Sequence, residues 1–327
     1  MKQKTLWAGL GACLGMLILI LDGKTALIGA QRGVQLCLIT VIPSLFPFFV
    51  LSILLNSTLS GFHLPFLKEI GHFCGIPTGS EPLLISGFLG GYPVGAQGIA
   101  EAYKAGQLSR QTAQRMLAFC NNAGPAFLFG MVASFFPESW MVWALWVIHI
   151  SGALFTAMIL PGATTDDCTL SVKGVVSANQ IMVRALSAIG TVCGWIIIFR
   201  VVVEFLQRWI LFLFPIPFQV AVTGMLELSN GCCFLPLIEN VDMRFILCSG
   251  MLAFGGLCVT MQTISVSNGL SIRHYLLGKF IQTGFSVTAA LAIVSEMTVF
   301  FFAAVLLLVL ILRKDRKSSS IPNAAGV

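Results

Sequence analysis

The stretch SGFLGGYPVGAQGIAEAY, Ser86 to Tyr103, decides how this chain is read. It sets five glycines and a proline between Gly87 and Gly98, with long apolar runs on both sides. Glycine and proline are the poorest helix residues. Non-helical backbone at membrane depth survives only where protein buries it or a wet cavity meets it. A re-entrant hairpin turning at Gly90, Gly91, Tyr92, Pro93 and Gly95 meets both conditions. Gly90 and Gly91 permit the turn, and Pro93 lacks the donor that a break would orphan. The freed N–H and C=O groups are then available to a solute or ion. Close helix packing is the other use for such small residues.

The surroundings are those of a membrane protein. Of 327 residues, 57% are hydrophobic and only 10% charged, and the mean hydropathy is +0.92. A soluble domain carries about a quarter charged residues. The composition predicts an all-α polytopic membrane protein with no sizeable soluble domain. The net charge of +6 does not point to nucleic acid. Its clearest cluster, Arg313 to Lys317, follows the apolar run Met297–Leu312 and reads as a membrane-edge anchor. The partner it implies is the lipid bilayer. Ten scattered cysteines form no C-x-x-C, and four histidines lie far apart. No metal site, disulfide or cofactor is expected. No HExxH, GxSxG or P-loop occurs, so no catalytic residues are assigned and no enzyme is expected. Asp166–Asp167 reads as a solvated turn.

A span needs about 20 mostly apolar residues. Eight candidates follow: Leu6–Leu21, Gly33–Leu55, Thr112–Phe136, Trp140–Leu160, Asn179–Leu206, Met243–Ile264, Ile272–Val294 and Met297–Leu312. Lys2 and Lys4 ahead of the first run resemble a secretory signal, and "LGAC" at Leu10–Cys13 hints at a lipoprotein site. No A-x-A site lies near Asp22, so the run is read as a retained span. Two apolar segments, Pro82–Ala100 and Phe218–Ile238, are too broken to count as spans. Phe62–Pro77 reads as an interfacial helix.

Charge sets the orientation. With both termini cytoplasmic, Lys2, Lys4, Lys68, Lys104, Arg110, Lys173, Arg273 and the four basic tail residues face inward, and Lys24, Arg32 and Arg208 face outward. This obeys the positive-inside rule. The order of features also repeats. Residues 147–160 align with 279–292, the broken segment 87–95 with 224–232, and 121–132 with 254–264. Each unit holds three spans and one broken segment. Three spans is an odd number, so the second copy must be inverted. The divisions are a first span (1–30), a first repeat (33–160), a polar loop (161–178), a second, inverted repeat (179–294), and a last span with basic tail (295–327). Paired interrupted segments in an inverted repeat point to a transporter site.

Three groups of residues carry the expected chemistry. The first is the glycine-rich turn. The second is FCNNAGPAFLFG, where Asn121 and Asn122 stand inside an apolar span and Gly124–Pro125 opens the helix. Asparagine both donates and accepts, so it suits a polar solute, although it also serves as glue between helices. The third is MLELSNG, where Glu227 is an intramembrane acid followed by Asn230 and Gly231. Glu227 is expected to couple an ion or proton, unless it forms a salt bridge with Arg184 or Arg200. Gln262 and Ser265 are weaker candidates of the same kind. The expected site binds a small polar solute through Gly90, Gly91, Tyr92, Pro93, Gly95, Asn121, Asn122, Gly124, Pro125, Asn230 and Gln262.

GGYPVGA followed about 25 residues later by CNNAGPAF resembles the YlbJ-type sporulation integral membrane proteins, of the wider nucleoside-recognition, or Gate, domain group. ELSNG and FGGLCVTMQ in the second half are similar too, and the likeness runs from about Gly33 to Ile293. The resemblance implies a transporter-like multi-span protein of the cell or forespore membrane with a role in sporulation. A non-transporting membrane component of spore assembly, structural or partner-binding, is the alternative it leaves open.

Overall fold

The computed structural model describes residues 2–59, 65–160, 177–267 and 269–319. The Asp166–Asp167 turn and most of the polar loop lie outside the described residues, as do the side chains of Lys2, Lys4, Lys68 and the basic tail. Among the described residues every regular element is helical. Among the described residues, five helices are long and apolar enough to cross a membrane: Gly23–Leu59, Ser139–Ile159, Ala178–Trp209, Val241–Val266 and Arg273–Val294.

The chain opens with α1 (Lys2–Leu21). Next, α2 (Gly23–Leu36) runs through a π turn, Cys37–Val41, into α3 (Ile42–Leu59). Pro43 and Pro47 lack the N–H that a regular ladder needs, so the local pitch change has a cause. A short α4 (Pro65–Cys74) falls where an interfacial helix is expected. The opening motif forms α5 (Glu81–Leu89) and α6 (Val94–Lys104), separated by a break at 90–93.

The segment Thr112–Phe136, expected as one span, is not one helix. It is α7 (Arg110–Leu117), a non-helical stretch at 118–124, α8 (Pro125–Gly130) and a 3₁₀ turn, Val132–Phe135. Ser109 caps the start of α7 by accepting from Thr112 N at 3.1 Å. Pro125 occupies the first turn of α8, where its missing N–H costs nothing. A long α9 (Ser139–Ile159) closes the first half.

The second half follows the same order. The long α10 (Ala178–Trp209) is capped by Ser177 and Gln180. Then come α11 (Ile216–Leu226) and α12 (Leu228–Cys233), broken at Glu227. The expected span Met243–Ile264 lies in α13 (Val241–Phe254) and α14 (Gly256–Val266). They part at Gly255, whose φ of +79° no β-carbon tolerates well. The long α15 (Arg273–Val294) and α16 (Thr298–Ser319) complete the chain. Each half is thus a long helix, a helix–break–helix pair, a broken helix and a second long helix.

Tight contacts bind these parts. A β-carbon on Gly29 or Gly33 would come within 2.8 Å of the Val201 Cα and 2.9 Å of the Ile197 Cα. This G-x-x-x-G face lets α2 lie directly on α10. Helices α9 and α15 meet where Gly152 faces Gln282, Phe285 and Ser286, and the rings of Phe155 and Phe285 are 4.9 Å apart.

Candidate functional site

The four breaks lie together. In the first pair, Gly91 turns the chain with φ +79°, and Tyr92 and Pro93 follow. A β-carbon on Gly95 would lie 2.0 Å from the Cys120 carbonyl oxygen and 2.9 Å from the Gly87 Cα. One on Gly87 would lie 2.3 Å from the same oxygen, and one on Gly278 2.3 Å from the Ala118 oxygen. Three glycines from three helices therefore clasp the backbone at 118–120. Gly124 packs on Gly91, so the turn and the broken helix touch. The second pair is built likewise: a β-carbon on Gly231 would meet the Gly224 Cα at 2.2 Å. Close packing is thus one reason for the glycines at 87, 95, 224 and 231.

The asparagines are fully buried and bound to protein. Asn121 Nδ2 donates to Thr263 Oγ1 at 2.9 Å, and its Oδ1 accepts from Ala96 N at 3.3 Å. Asn122 Nδ2 donates to the Phe119 carbonyl at 2.7 Å. Its Oδ1 accepts from Gln282 Nε2 at 3.0 Å, and Gln282 also donates to the His149 carbonyl at 3.1 Å. His149 Nε2 accepts from Ala123 N at 3.1 Å, which fixes that nitrogen as the unprotonated one. Asn121 thus ties the stretch at 118–124 to α6 and α14, Asn122 ties it to α15, and Ala123 N ties it to α9.

Sequence reasoning missed the centre of this network. Lys279 is 1% exposed. Its Nζ donates to the Asn121 carbonyl at 2.7 Å, Gln282 Oε1 at 2.9 Å and Tyr92 Oη at 3.2 Å. Tyr92 Oη in turn donates to the Leu252 carbonyl at 3.2 Å, one turn before the Gly255 break. The signal was available: Lys279 is a lone cation in LLGKFIQTGF, and an ionisable residue inside a span is a functional candidate by default.

Glu227 sits at the second break. Its carboxylate accepts from Ser229 N at 3.0 Å and from Asn230 N and Asn230 Nδ2 at 2.6 Å each. The two backbone N–H groups are among the first donors of α12, which have no partner inside the helix. The salt bridge to Arg184 or Arg200 does not form. Arg184 pairs with Glu101 at 3.3 Å. Arg200 reaches Glu204 at 3.2 Å and donates to Asn230 Oδ1 at 3.1 Å, so Asn230 stands between it and Glu227. Glu204 also pairs with Arg32 at 2.7 Å. A continuous polar chain therefore runs from Arg32 on α2 through α10 to the second break.

One cavity joins the two halves. Tyr92, Ala123 and Gly124 from the first half line it with Glu227, Ser229 and Gln262 from the second. Asn121 and Asn122 do not line it; they bond on the far side of the break. The cavity volume is about 40 Å³, room for a few waters at most. A wider cavity of about 370 Å³ is lined by Pro93, Gln97, Glu101, Arg184, Ser187 and Thr191. Pro125 starts α8, and Ser265 Oγ bonds back to the Gln262 carbonyl.

The chain is 25% identical, over 299 residues, to the sporulation integral membrane protein YlbJ of Bacillus subtilis (strain 168). The match covers 75% of this chain and 71% of that protein. The similarity supports a YlbJ-type assignment. No family model and no solved structure matches. The chain is an integral membrane protein with several apolar helices, similar to a protein named for sporulation.

Proposed function

We propose that the chain is a transporter-like protein of the cell or forespore membrane that carries a small polar solute, nucleoside-like or other, during sporulation. In this reading it performs no catalysis. One observation carries it: residues from both helix–break–helix pairs, Tyr92 and Glu227, line a single cavity with Gly124 and Gln262 of the two broken helices. Interrupted helices meeting in this way supply backbone groups and half-helix ends for a solute or ion. The repeated order of elements supports two copies related by inversion, with the pairs re-entrant and eight crossings in all.

A solute pocket occupies several hundred Å³, against about 40 Å³ here. Entry therefore requires the pairs to separate. The wider cavity that Pro93 lines is the natural approach. Glu227, placed on the cavity wall, is the proton- or cation-coupling group. A second reading, a non-transporting structural or partner-binding component of spore assembly, draws support from the small cavity and from asparagines already bonded to protein.

Uptake into proteoliposomes separates the two. A panel of nucleosides, sugars and amides should give one class that accumulates above protein-free vesicles. Glu227→Gln should change the pH or ion dependence of that uptake, and Gln262→Ala, on the cavity wall, should weaken apparent affinity. Silence across the panel from folded, inserted protein would sink the transporter reading. Topology has its own check. Cysteine labelling in a cysteine-free background should find Lys104 to Arg110 and the tail on the cytoplasmic side, and Pro137–Ser139 outside. Lys104 and the tail on opposite sides would rule out eight crossings.

A further inference from the structure

The surroundings of Lys279 are unusual for a buried cation. Four oxygens face its ammonium: the Asn121 carbonyl at 2.7 Å, Gln282 Oε1 at 2.9 Å, Tyr92 Oη at 3.2 Å and Asn122 Oδ1 at 3.5 Å. The ring faces of Tyr92 and Tyr275 lie 5.0 and 5.7 Å from Nζ. No carboxylate pairs with it among the described residues. A buried lysine held as half of an ion pair would have one. Neutral oxygens and aromatic faces are what proteins offer a bare monovalent cation. The Asn121 carbonyl belongs to the non-helical stretch at 118–124, so no helix N–H claims it. Unwound carbonyls of this kind hold coupling ions in broken-helix membrane proteins.

We propose that these oxygens form a monovalent-cation site whose resident cation is the chain's own Lys279 ammonium, tethered by α15. Oxygens at 2.7 Å and beyond are too distant for hard divalent ions, which sit at about 2.0–2.6 Å. They suit an ammonium or an ion of similar size, such as K⁺. The tethered charge holds the first turn, the first break and α15 together without a diffusible ion. A free cation can enter only when the lysine leaves. This site is independent of transport, since its occupancy is read on purified protein.

Chemical rescue tests it. Full-length protein in nanodiscs is melted in ammonium, methylammonium, potassium or sodium chloride, against N-methylglucamine chloride at equal ionic strength. Three charged hydrogen bonds are lost in Lys279→Ala, so its midpoint should fall by roughly 5–10 °C in N-methylglucamine. Ammonium, methylammonium or potassium should restore at least half of that loss, saturably. Lys279→Met fills the space with an apolar chain and should not be rescued. Adding Tyr92→Phe to Lys279→Ala removes one oxygen and should raise the half-saturating concentration. A Lys279→Ala response equal to that of wild type or of Lys279→Met would overturn the proposal. If Lys279→Ala cannot be recovered folded, purification is repeated in ammonium chloride throughout. Recovery there supports the site, and failure there as well makes Lys279 a strut and overturns it.

Discussion

Gly95→Ala should unfold or severely destabilise the protein, although it adds one methyl group. The added carbon would lie 2.0 Å from the Cys120 oxygen and 2.9 Å from the Gly87 Cα. Both neighbours are backbone, so neither can rotate away. Overpacking costs about 1–3 kcal/mol where side chains can adjust, and here the cost should be at or above the upper end. Gly91→Ala should cost less. Its φ of +79° is strained for any L-residue, but the nearest atom to the new carbon is 3.4 Å away; a left-handed residue costs about 1–2 kcal/mol. Gly194→Ala on α10 meets nothing within 4 Å and should be neutral or mildly stabilising. Thermal midpoints and the monodisperse fraction in detergent should rank the three in that order. Gly95→Ala melting like Gly194→Ala would mean that the three-glycine clasp around 118–120 is not tight in the working protein.

That clasp shows what could be read from residues and what could not. The breaks at GGYPVG and NNAGP were legible, because each sets glycine and proline together in an apolar run. The repeat reading rests on the same residues, since breaks mark register better than apolar runs do. The division of labour inside the breaks was not. Glycines that turn the chain and glycines that admit a neighbouring backbone look alike in one dimension. Gly91 does the first and Gly95 the second. Nor could the inward faces of α9 and α15 be found. A helix in lipid is apolar all round, so no stripe separates core from solvent. His149, Lys279 and Gln282 are the polar residues that mark those faces, and the aligned stretches 147–160 and 279–292 contain all three. The expected meeting of Asn121, Asn122 and Glu227 resolves into two neighbouring centres. Tyr92 belongs to both: it accepts a hydrogen bond from Lys279 on one side and lines the Glu227 cavity on the other.

Arg200→Met should produce the second large loss, about 3–5 kcal/mol, because it strips one partner from a buried charged network. Arg200 is 5% exposed and lies over the Phe234 ring at 5.2 Å. It holds Glu204 at 3.2 Å and Asn230 Oδ1 at 3.1 Å. Without it Glu204 keeps only the half-exposed Arg32, and Asn230 loses the donor on its oxygen while its amide stays on Glu227. Methionine preserves length and most of the packing, so the loss reports on polarity rather than volume. Glu204, left with one half-exposed partner, accounts for part of the cost, and the unpaired Asn230 oxygen for the rest. Adding Glu204→Gln should therefore recover about half of it, a coupling that a double-mutant cycle on thermal or denaturant midpoints would read. Glu204→Gln alone should cost less than Arg200→Met, because Asn230 still has its arginine. Strict additivity of the two substitutions would show that Arg200 and Glu204 are not energetically linked, and that the second break is positioned by Glu227 and backbone packing alone.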